Sequence, residues 1–253
     1  MLSAERVPVL IRARRRVLAR VDLRAFALNL TQPLPVVVPR LAVDIRRALP
    51  GDLLASDAAM PSVRRVLEES GRGGDPEAAL ERALADSHLC FVAEHAGTIV
   101  HVRWANLRSA SIPRLGVWAT LRTGEACGFA AYTVPSVRGH GLHAAVLAAM
   151  AEHLQARGTR TLYFWVMSGN TASLRTMARV GAREIVRVIQ WVWRLGREVL
   201  LFADVLVAPN APAGHVLSPD RLGLRPPVIA VRWRHRSRWF GPLPALDSVR
   251  KDV

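Results

Sequence analysis

Short apolar runs alternate along the chain with segments of helical periodicity, and this pattern predicts a mixed α/β fold. Strands are predicted over 41–48, 89–94, 99–104, 126–134, 161–167, 184–193, 199–207 and 228–233. Helices are predicted over 52–69, 76–86, 142–155 and 171–180. The predicted fold class is therefore α/β (α+β).

Local signals predict where several of these elements begin and end. Asp75 and Pro76 are a capping residue and a proline at the first helical position, so they predict the start of the second helix. Gly158 ends the third helix, and Gly97 lies in a predicted hairpin turn. Residues 107–122 are predicted as a long connection or an irregular strand.

The positive charge of the chain is concentrated in its two ends. The 253 residues carry a formal net charge of +15. Residues 1–47 hold 10 basic and 3 acidic side chains, residues 206–253 hold 8 and 3, and residues 48–205 are nearly balanced at +3. About half of the chain is apolar (51%), which is enough for a sizeable core and excludes a chain that is disordered throughout.

Compartment signals favour the cytoplasm. No apolar run approaches the ~18 residues of a membrane-spanning helix, and the N-terminal arginines precede no uninterrupted apolar stretch of the signal-peptide kind. Cys90 and Cys127 each lie in an apolar run, with neither a disulfide framework nor zinc spacing. We therefore expect buried thiols in a reducing cytoplasm, and no metal.

One segment carries recognisable chemistry: a strand that ends near Thr133, a loop with Gly139 and Gly141, and an alanine-rich helix. Glycines allow a backbone to approach a ligand closely. The first amides of a helix lack internal partners, and the helix dipole attracts anions. The segment therefore predicts either a phosphate-binding loop or a simple strand-to-helix turn.

Two motifs resemble those of the GNAT (N-acetyltransferase) superfamily. Residues 138–141 (Arg-Gly-His-Gly), before the alanine-rich helix, resemble its acyl-CoA loop. About 30 residues later, Asn170 and Ser173 followed by Gly181 resemble its Asn-x-x-Ala/Ser signature. The resemblance covers residues 41–205. It implies a splayed mixed sheet flanked by helices in this domain, between a basic N-terminal extension (1–40) and a basic C-terminal extension (206–253).

The resemblance implies acetyl-CoA, or another acyl-CoA, as co-substrate of an N-acyltransferase. Loop amides would hold the pyrophosphate, and the end of the preceding strand would pair with the pantetheine. The implied cofactor-binding residues are Tyr132, Thr133, Val134, Arg138, Gly139, His140, Gly141, Leu142, His143, Asn170 and Ser173.

The chain departs from the family pattern at two positions. His143 replaces a small residue of the loop, and its imidazole could meet a phosphate oxygen. Met177 replaces the tyrosine that often protonates the leaving thiolate, and methionine cannot donate a proton. Either another group or water supplies this proton, or the protein is a poor catalyst.

Acyl transfer needs a neutral amine, so a base or a water chain must accept its proton. Glu125, thirteen residues before Arg138, matches the position of a glutamate base in some branches of the family. The alternative is a solvated residue at the strand edge. Tyr132 is the other candidate, with a packing role as its alternative. His101 is expected to be structural or to face the acceptor cleft.

The acceptor is expected to be a small-molecule or peptide amine, and a homodimer is a further expectation. Trp191 and Trp193, on one strand face, could line the acceptor pocket or pack against another segment. The basic-aromatic tail 232–240 and the arginine cluster 12–20 could contact nucleic acid or an anionic membrane, or could pack on the core. Two alternatives to the enzyme follow: a non-catalytic acyl-CoA-binding module, and a nucleic-acid-associated protein.

Overall fold

The computed structural model describes residues 18–69, 75–112, 117–195, 198–207, 228–233 and 236–238. The arginines of cluster 12–20 that precede residue 18, and residues 234–235 and 239–240 of the tail, lie outside the described residues. So do the side chains of Trp191 and Trp193. The chain divides into a larger unit (25–166 and 170–184) and a smaller one (1–24, 167–169 and 185–253).

The described residues of the larger unit form five α-helices and a short 3-10 helix, Pro135–Val137. Their bounds are α1 (Pro50–Leu54), α2 (Met60–Glu69), α3 (Pro76–Asp86), α4 (Leu142–Ala156) and α5 (Thr171–Arg179). Asp75 caps α3 as predicted, since its carboxylate accepts the amides of Glu77 and Ala78. The helix predicted over 52–69 is two helices, because the amides of Ala59 and Met60 bond back to the carbonyl of Ser56 in an intervening turn.

The strands confirm the predicted mixed sheet. Their bounds are β1 (Leu18–Asn29), β2 (Asp44–Arg47), β3 (His88–His95), β4 (Thr98–Asn106), β5 (Ser109–Ile112), β6 (Val117–Thr120), β7 (Glu125–Thr133), β8 (Thr161–Met167), β9 (Arg183–Leu195), β10 (Glu198–Val207), β11 (Val228–Trp233) and β12 (Arg236–Arg238). In the larger unit the order is β1–β8–β7–β4–β3–β2. β7 pairs antiparallel with β4 and parallel with β8.

For residues 107–122 the sequence predicted either a long connection or an irregular strand. The structure shows a separate antiparallel pair of strands there, β5–β6. In the smaller unit, β9, β10, β11 and β12 pair successively, and β9–β10 and β10–β11 are antiparallel. The two predicted strands around Leu195 are therefore confirmed as a β-hairpin-like pair.

Two apolar clusters cover opposite faces of the sheet in the larger unit. One joins α4 to the sheet and includes Leu147, Met150 and Phe164. The other joins α1, α2 and α3 to the sheet and includes Leu53, Leu80 and Trp104. Because side chains alternate along a strand, β4 contributes Val102 and Trp104 to the second cluster and directs the intervening Arg103 towards the α4 face. The predicted fold class, a mixed sheet flanked by helices, is confirmed.

Among the described residues, no helix has the length and hydropathy that crossing a membrane requires. Within the same residues, no group of three His, Cys, Asp or Glu side chains is arranged to hold a metal ion.

Candidate functional site

A cleft of about 620 Å³ lies in the larger unit, between the end of β7, the loop after it and the starts of α4 and α5. Its lining residues are Ala131, Tyr132, Thr133, Val137, Arg138, Gly139, Gly141, Leu142, His143, Ala144, Asn170, Ala172, Ser173, Arg175, Thr176 and Arg179. Both motifs that the sequence singled out therefore contribute to one concave site.

The loop before α4 depends on two glycines in the left-handed region of the backbone. Gly139 has φ = +87° and Gly141, the N-cap of α4, has φ = +81°. A β-carbon on Gly139 would meet no atom within 4 Å, so its conformation, and not crowding, requires glycine. After β7 and the short 3-10 helix Pro135–Val137, the two residues turn the chain into α4.

The start of α4 presents backbone amides to the cleft. Within the described residues, the amides of Gly139, Leu142 and His143 have no protein acceptor, whereas those of Ala144 and Ala145 bond to the carbonyl of Gly141. Unpaired amides and the positive end of the helix dipole together make an anion-binding position. The geometry therefore suits a phosphate or pyrophosphate group.

Three arginines add positive charge around these amides. Arg138 lies on the loop, and Arg175 and Arg179 lie one turn apart on α5. The Nε of Arg138 donates to the carbonyl of Thr133 at 3.1 Å, and its guanidinium lies 6.0 Å from the ring centre of Tyr132. None of the described residues that line the cleft is acidic, so the site favours anions.

The sheet opens beside this loop. The pairs between β7 and β8 end at Gly128 and Phe164, although β7 continues to Thr133. On its other edge β7 has a bulge, because Ala130 and Ala131 lie opposite the single residue Arg103 of β4. Ala130 has φ = +44°. The last residues of β7 thus have an edge without β8 pairing, where an extended ligand can add like a strand.

A buried polar cluster lies under the cleft on the α4 face. His101 Nδ1 bonds to Thr133 Oγ1 at 2.7 Å, and Arg103 hydrogen-bonds to Nε2 of His143. Burial lowers the pKa of His101 to about 3, with a further contribution from Arg103. Burial, then Arg103 and His101, lower the pKa of His143 to about 2. Both imidazoles are therefore neutral at physiological pH.

The second motif forms the start of α5. Asn170 is its N-cap, and its side-chain oxygen accepts the amide of Ser173 at 3.1 Å. Both residues line the cleft. Met177 is 1% exposed and belongs to the apolar core, so no proton donor lies at this position.

Most of the residues predicted from the sequence meet in the cleft, but three do not line it. Val134 packs against the core. The ring of His140 bonds to the carbonyl of Val137, while its own carbonyl accepts the amide of Arg40. Glu125 lies at the opposite end of β7 from Tyr132, where its carboxylate accepts the Tyr163 hydroxyl at 3.1 Å and the amide of Arg122 at 2.8 Å.

Three arginines of the site were missed by sequence reasoning. Arg175 and Arg179 are four residues apart on a predicted helix, and this spacing was a usable signal that they share a face. Arg103 gave no such signal, because a single arginine in an apolar strand normally lies at its solvated face.

Residues 115–192 match the family model described as FR47-like protein. This stretch contains the loop, α4, β8 and α5, and the match bears out the predicted resemblance of these segments to the GNAT superfamily. No curated protein matches the sequence.

Solved structures with a similar fold include three acetyltransferases. A GCN5-related N-acetyltransferase from Sphaerobacter thermophilus is 16% identical (TM-score 0.46) over 83% of this chain and 60% of its own. An acetyltransferase of the GNAT family from Colwellia psychrerythraea is 17% identical (TM-score 0.43) over 76% and 64%. A GCN5-related N-acetyltransferase from Kribbella flavida is 13% identical (TM-score 0.41) over 70% and 60%. The chain spans less than two thirds of each of these proteins.

Proposed function

We propose that the protein is an acyl-CoA-dependent N-acyltransferase, with acetyl-CoA as the first co-substrate to test and a small-molecule or peptide amine as acceptor. The observation that carries the proposal is the row of unpaired amides at Gly139, Leu142 and His143, in a cleft that also contains three arginines and no acid among its described residues. The pyrophosphate of CoA matches this site in charge and in hydrogen-bond acceptors.

The free end of β7 fits the rest of the co-substrate. Pantetheine has peptide-like amides, and it can hydrogen-bond along the strand beyond Gly128, where β8 no longer pairs. Its thioester would then lie between the diverging strands. Strand amides there would polarise the thioester carbonyl, which is the group on which negative charge develops during acyl transfer.

The proposed reaction is direct attack. The lone pair of the neutral amine forms the new C–N bond, the C–S bond breaks, and CoA leaves as its thiolate. One proton passes from the amine nitrogen to a base, and one proton reaches the thiolate. Tyr132 lines the cleft and can exchange a proton through its hydroxyl. Glu125 would need a chain of waters, because its carboxylate faces Tyr163 and Arg122.

Cofactor binding is tested by adding a negative charge beside the amides. Gly139→Asp is expected to abolish the thermal stabilisation by acetyl-CoA, which for a ligand at a hundred times its Kd is about 2.7 kcal/mol. Gly158→Asp is the matched control. Gly158 also has a positive φ, +82°, and space for a β-carbon, but it follows the other end of α4. Absence of stabilisation of the unaltered protein by any acyl-CoA would refute the proposal.

Catalysis and its base are tested by release of free CoA thiol in the presence of a panel of amines. Glu125→Gln should lower kcat by about a hundredfold or more if Glu125 is the base, even through water. Tyr132→Phe makes the same test for the tyrosine. An unchanged rate excludes the residue concerned, and the melting temperature of each variant shows whether a slower rate reflects unfolding.

A non-catalytic acyl-CoA-binding module is the second candidate. The buried Met177 favours it, because the thiolate then has no acid on α5. Stabilisation by acetyl-CoA without thiol release for any amine would support the module over the enzyme.

A further inference from the structure

Arg103 is a buried cation without a carboxylate partner among the described residues. Arg103 lies in the middle of β4, and the whole residue is only 3% exposed. Its side chain extends towards α4, where it meets His143. Its guanidinium carbon lies 4.8 Å from the ring centre of Phe164, and its Nε has no hydrogen-bond partner. Burial lowers its pKa to about 9, so it remains charged at neutral pH.

The hydrogen bond from Arg103 determines the protonation of His143. A guanidinium has only donors, so the imidazole nitrogen that faces it, Nε2, must act as an acceptor. A neutral imidazole has one N–H group, and that proton must then be on Nδ1. The same contact opposes protonation of the ring, because a second proton would place two positive charges together.

Nδ1 of His143 is accessible to solvent. Among the described residues it has no hydrogen-bond partner. It is not one of the buried polar atoms that lack a partner, so solvent can reach it. His143 itself lines the cleft. The atom therefore remains accessible as a donor, next to the unpaired amides of Leu142 and His143.

Among the described residues, the charged and titratable groups around His143 include no carboxylate. On β7 they include the Tyr132 hydroxyl, in the cleft, and the Cys127 thiol, near Arg103. On β4 they are Arg103 and His101, whose ring centre lies 5.5 Å from that of His143. Thr133 of β7 bonds to His101. Across the cleft, the charged lining residues are Arg138, Arg175 and Arg179. No described carboxylate lines this surface to favour the imidazolium.

We propose that Arg103 is a positioning residue, which holds His143 as the neutral Nδ1–H tautomer so that this N–H donates to the phosphate group of the bound co-substrate. The role as donor rests on the proposed function, whereas the tautomer does not. The pair of Arg103 and His143 would therefore give the phosphate a hydrogen bond from Nδ1–H that has a fixed direction and a strength independent of pH.

The tautomer is tested in the free protein by long-range ¹⁵N–¹H correlation spectra of the histidine rings, assigned with His143→Ala. In the unaltered protein, His143 is expected to show the Nδ1–H pattern unchanged from about pH 8 to about pH 5.5, a range in which an ordinary histidine titrates. In Arg103→Met, Nε2 loses its donor, so the Nε2–H pattern should appear beside the Nδ1–H pattern, while burial still opposes protonation of the ring. An Nε2–H tautomer, or a normal titration in the unaltered protein, would overturn the proposal.

The donor role is tested by the affinity for dephospho-CoA, whose pyrophosphate diester keeps its charge over this pH range. Between about pH 8 and 5.5, the Kd of the unaltered protein should change less than about twofold. In Arg103→Met the Kd should rise severalfold at both ends of this range, because part of the population then lacks the Nδ1–H donor and one hydrogen bond is worth about 0.5–1.5 kcal/mol. His143→Asn, which keeps an N–H near the position of Nδ1, should bind better than His143→Ala.

The remaining variants separate the outcomes. Arg103→Lys retains a buried cationic donor and should keep the Nδ1–H pattern and the affinity, and His95→Gln changes a histidine outside the cleft as a control. Equal binding by His143→Ala and the unaltered protein would overturn the donor role. No binding of dephospho-CoA or acetyl-CoA by the unaltered protein would refute the proposed function and the donor role, while the spectra would still decide the tautomer.

Discussion

Gly128 should be the glycine of the sheet that least tolerates a side chain. It forms the last pair between β7 and β8, opposite Phe164. A β-carbon on Gly128 would lie 2.7 Å from Cδ1 of Phe164, closer still to Cε1, and 3.3 Å from Nη2 of Arg103. The perturbation is Gly128→Ala, which adds one methyl group at the point where the two strands separate.

The expected cost follows from how little the neighbours can move. Carbon atoms in contact are normally about 3.5–4.0 Å apart, so the ring must shift by about 1 Å. Phe164 is 1% exposed within the core that α4 covers, and Arg103 lies over its ring. Overpacking of this kind costs about 1–3 kcal/mol, which corresponds to a fall in Tm of roughly 2–10 °C.

The assay is urea unfolding together with thermal melting, with Gly51→Ala as the matched control. Gly51 lies in α1, has no atom within 4 Å of its β-carbon position, and does not have a positive φ. The same substitution there should be neutral or stabilising by up to about 1 kcal/mol, because alanine favours the helix.

A second substitution tests the cause. Phe164→Leu alone should destabilise the protein by creating a cavity. Combined with Gly128→Ala it should cost less than the sum of the two single changes, because the added methyl group fills the space that the ring leaves. Equal stability of Gly128→Ala and the unaltered protein, or strict additivity in the double variant, would refute the reasoning.

Two further predictions concern polar groups. Hydrogen bonds from Arg187, then from Ser168, outweigh burial and lower the pKa of Asp22 to about 2. The ionised Asp22 therefore stabilises the folded protein. This contribution is complete above the unfolded pKa of about 4 and is lost as the pH falls towards 2. When the pH is lowered from about 7 to about 2, the unfolding free energy of Asp22→Asn should therefore decrease by about 2 kcal/mol less than that of the unaltered protein. Equal decreases in the two proteins would contradict this prediction. Thr133→Val should cost about 1–3 kcal/mol in urea unfolding, because it removes the partner of His101 Nδ1, on a residue that is 0% exposed. Thr133→Ser keeps the hydroxyl and should cost clearly less, and equal costs would rule out the hydrogen bond as the cause.

Local sequence patterns were sufficient for most elements and for the loop, although they predicted neither the separation of α1 from α2 nor the strands β1 and β12. The carboxylate of Asp75 caps α3 through amides two and three residues away, and Gly141 turns the chain one residue before α4. Both partners of such an interaction lie within a few positions of each other in the chain. A short stretch of sequence is therefore enough to predict it. The same holds for Asn170 and Ser173 at the start of α5.

The chemistry beneath the loop could not be predicted in this way, because it depends on residues far apart in the chain. Arg103 meets His143 across 40 positions. The bulge at Ala130 arises from a register shift between β4 and β7, which no periodicity within either strand reveals. Glu125 had the expected spacing from Arg138, but spacing does not show that Tyr163, 38 residues later, shares its carboxylate.

The positive charge of the cleft arises because basic and acidic side chains lie in different places within a nearly neutral region. Residues 48–205 carry only +3, yet three arginines and no acid are among the described residues that line the cleft. Two acids of this region that do not line the cleft form ion pairs with Arg46: Asp52 at 2.6 Å and Glu94 at 3.0 Å.

At physiological ionic strength, exposed charges separated by more than about 8 Å are largely screened. A phosphate in the cleft therefore interacts chiefly with the charges that line it and with the buried Arg103, which solvent screens least. The positions of a few arginines in the folded chain, and not the total of +15, determine whether the site binds an anion.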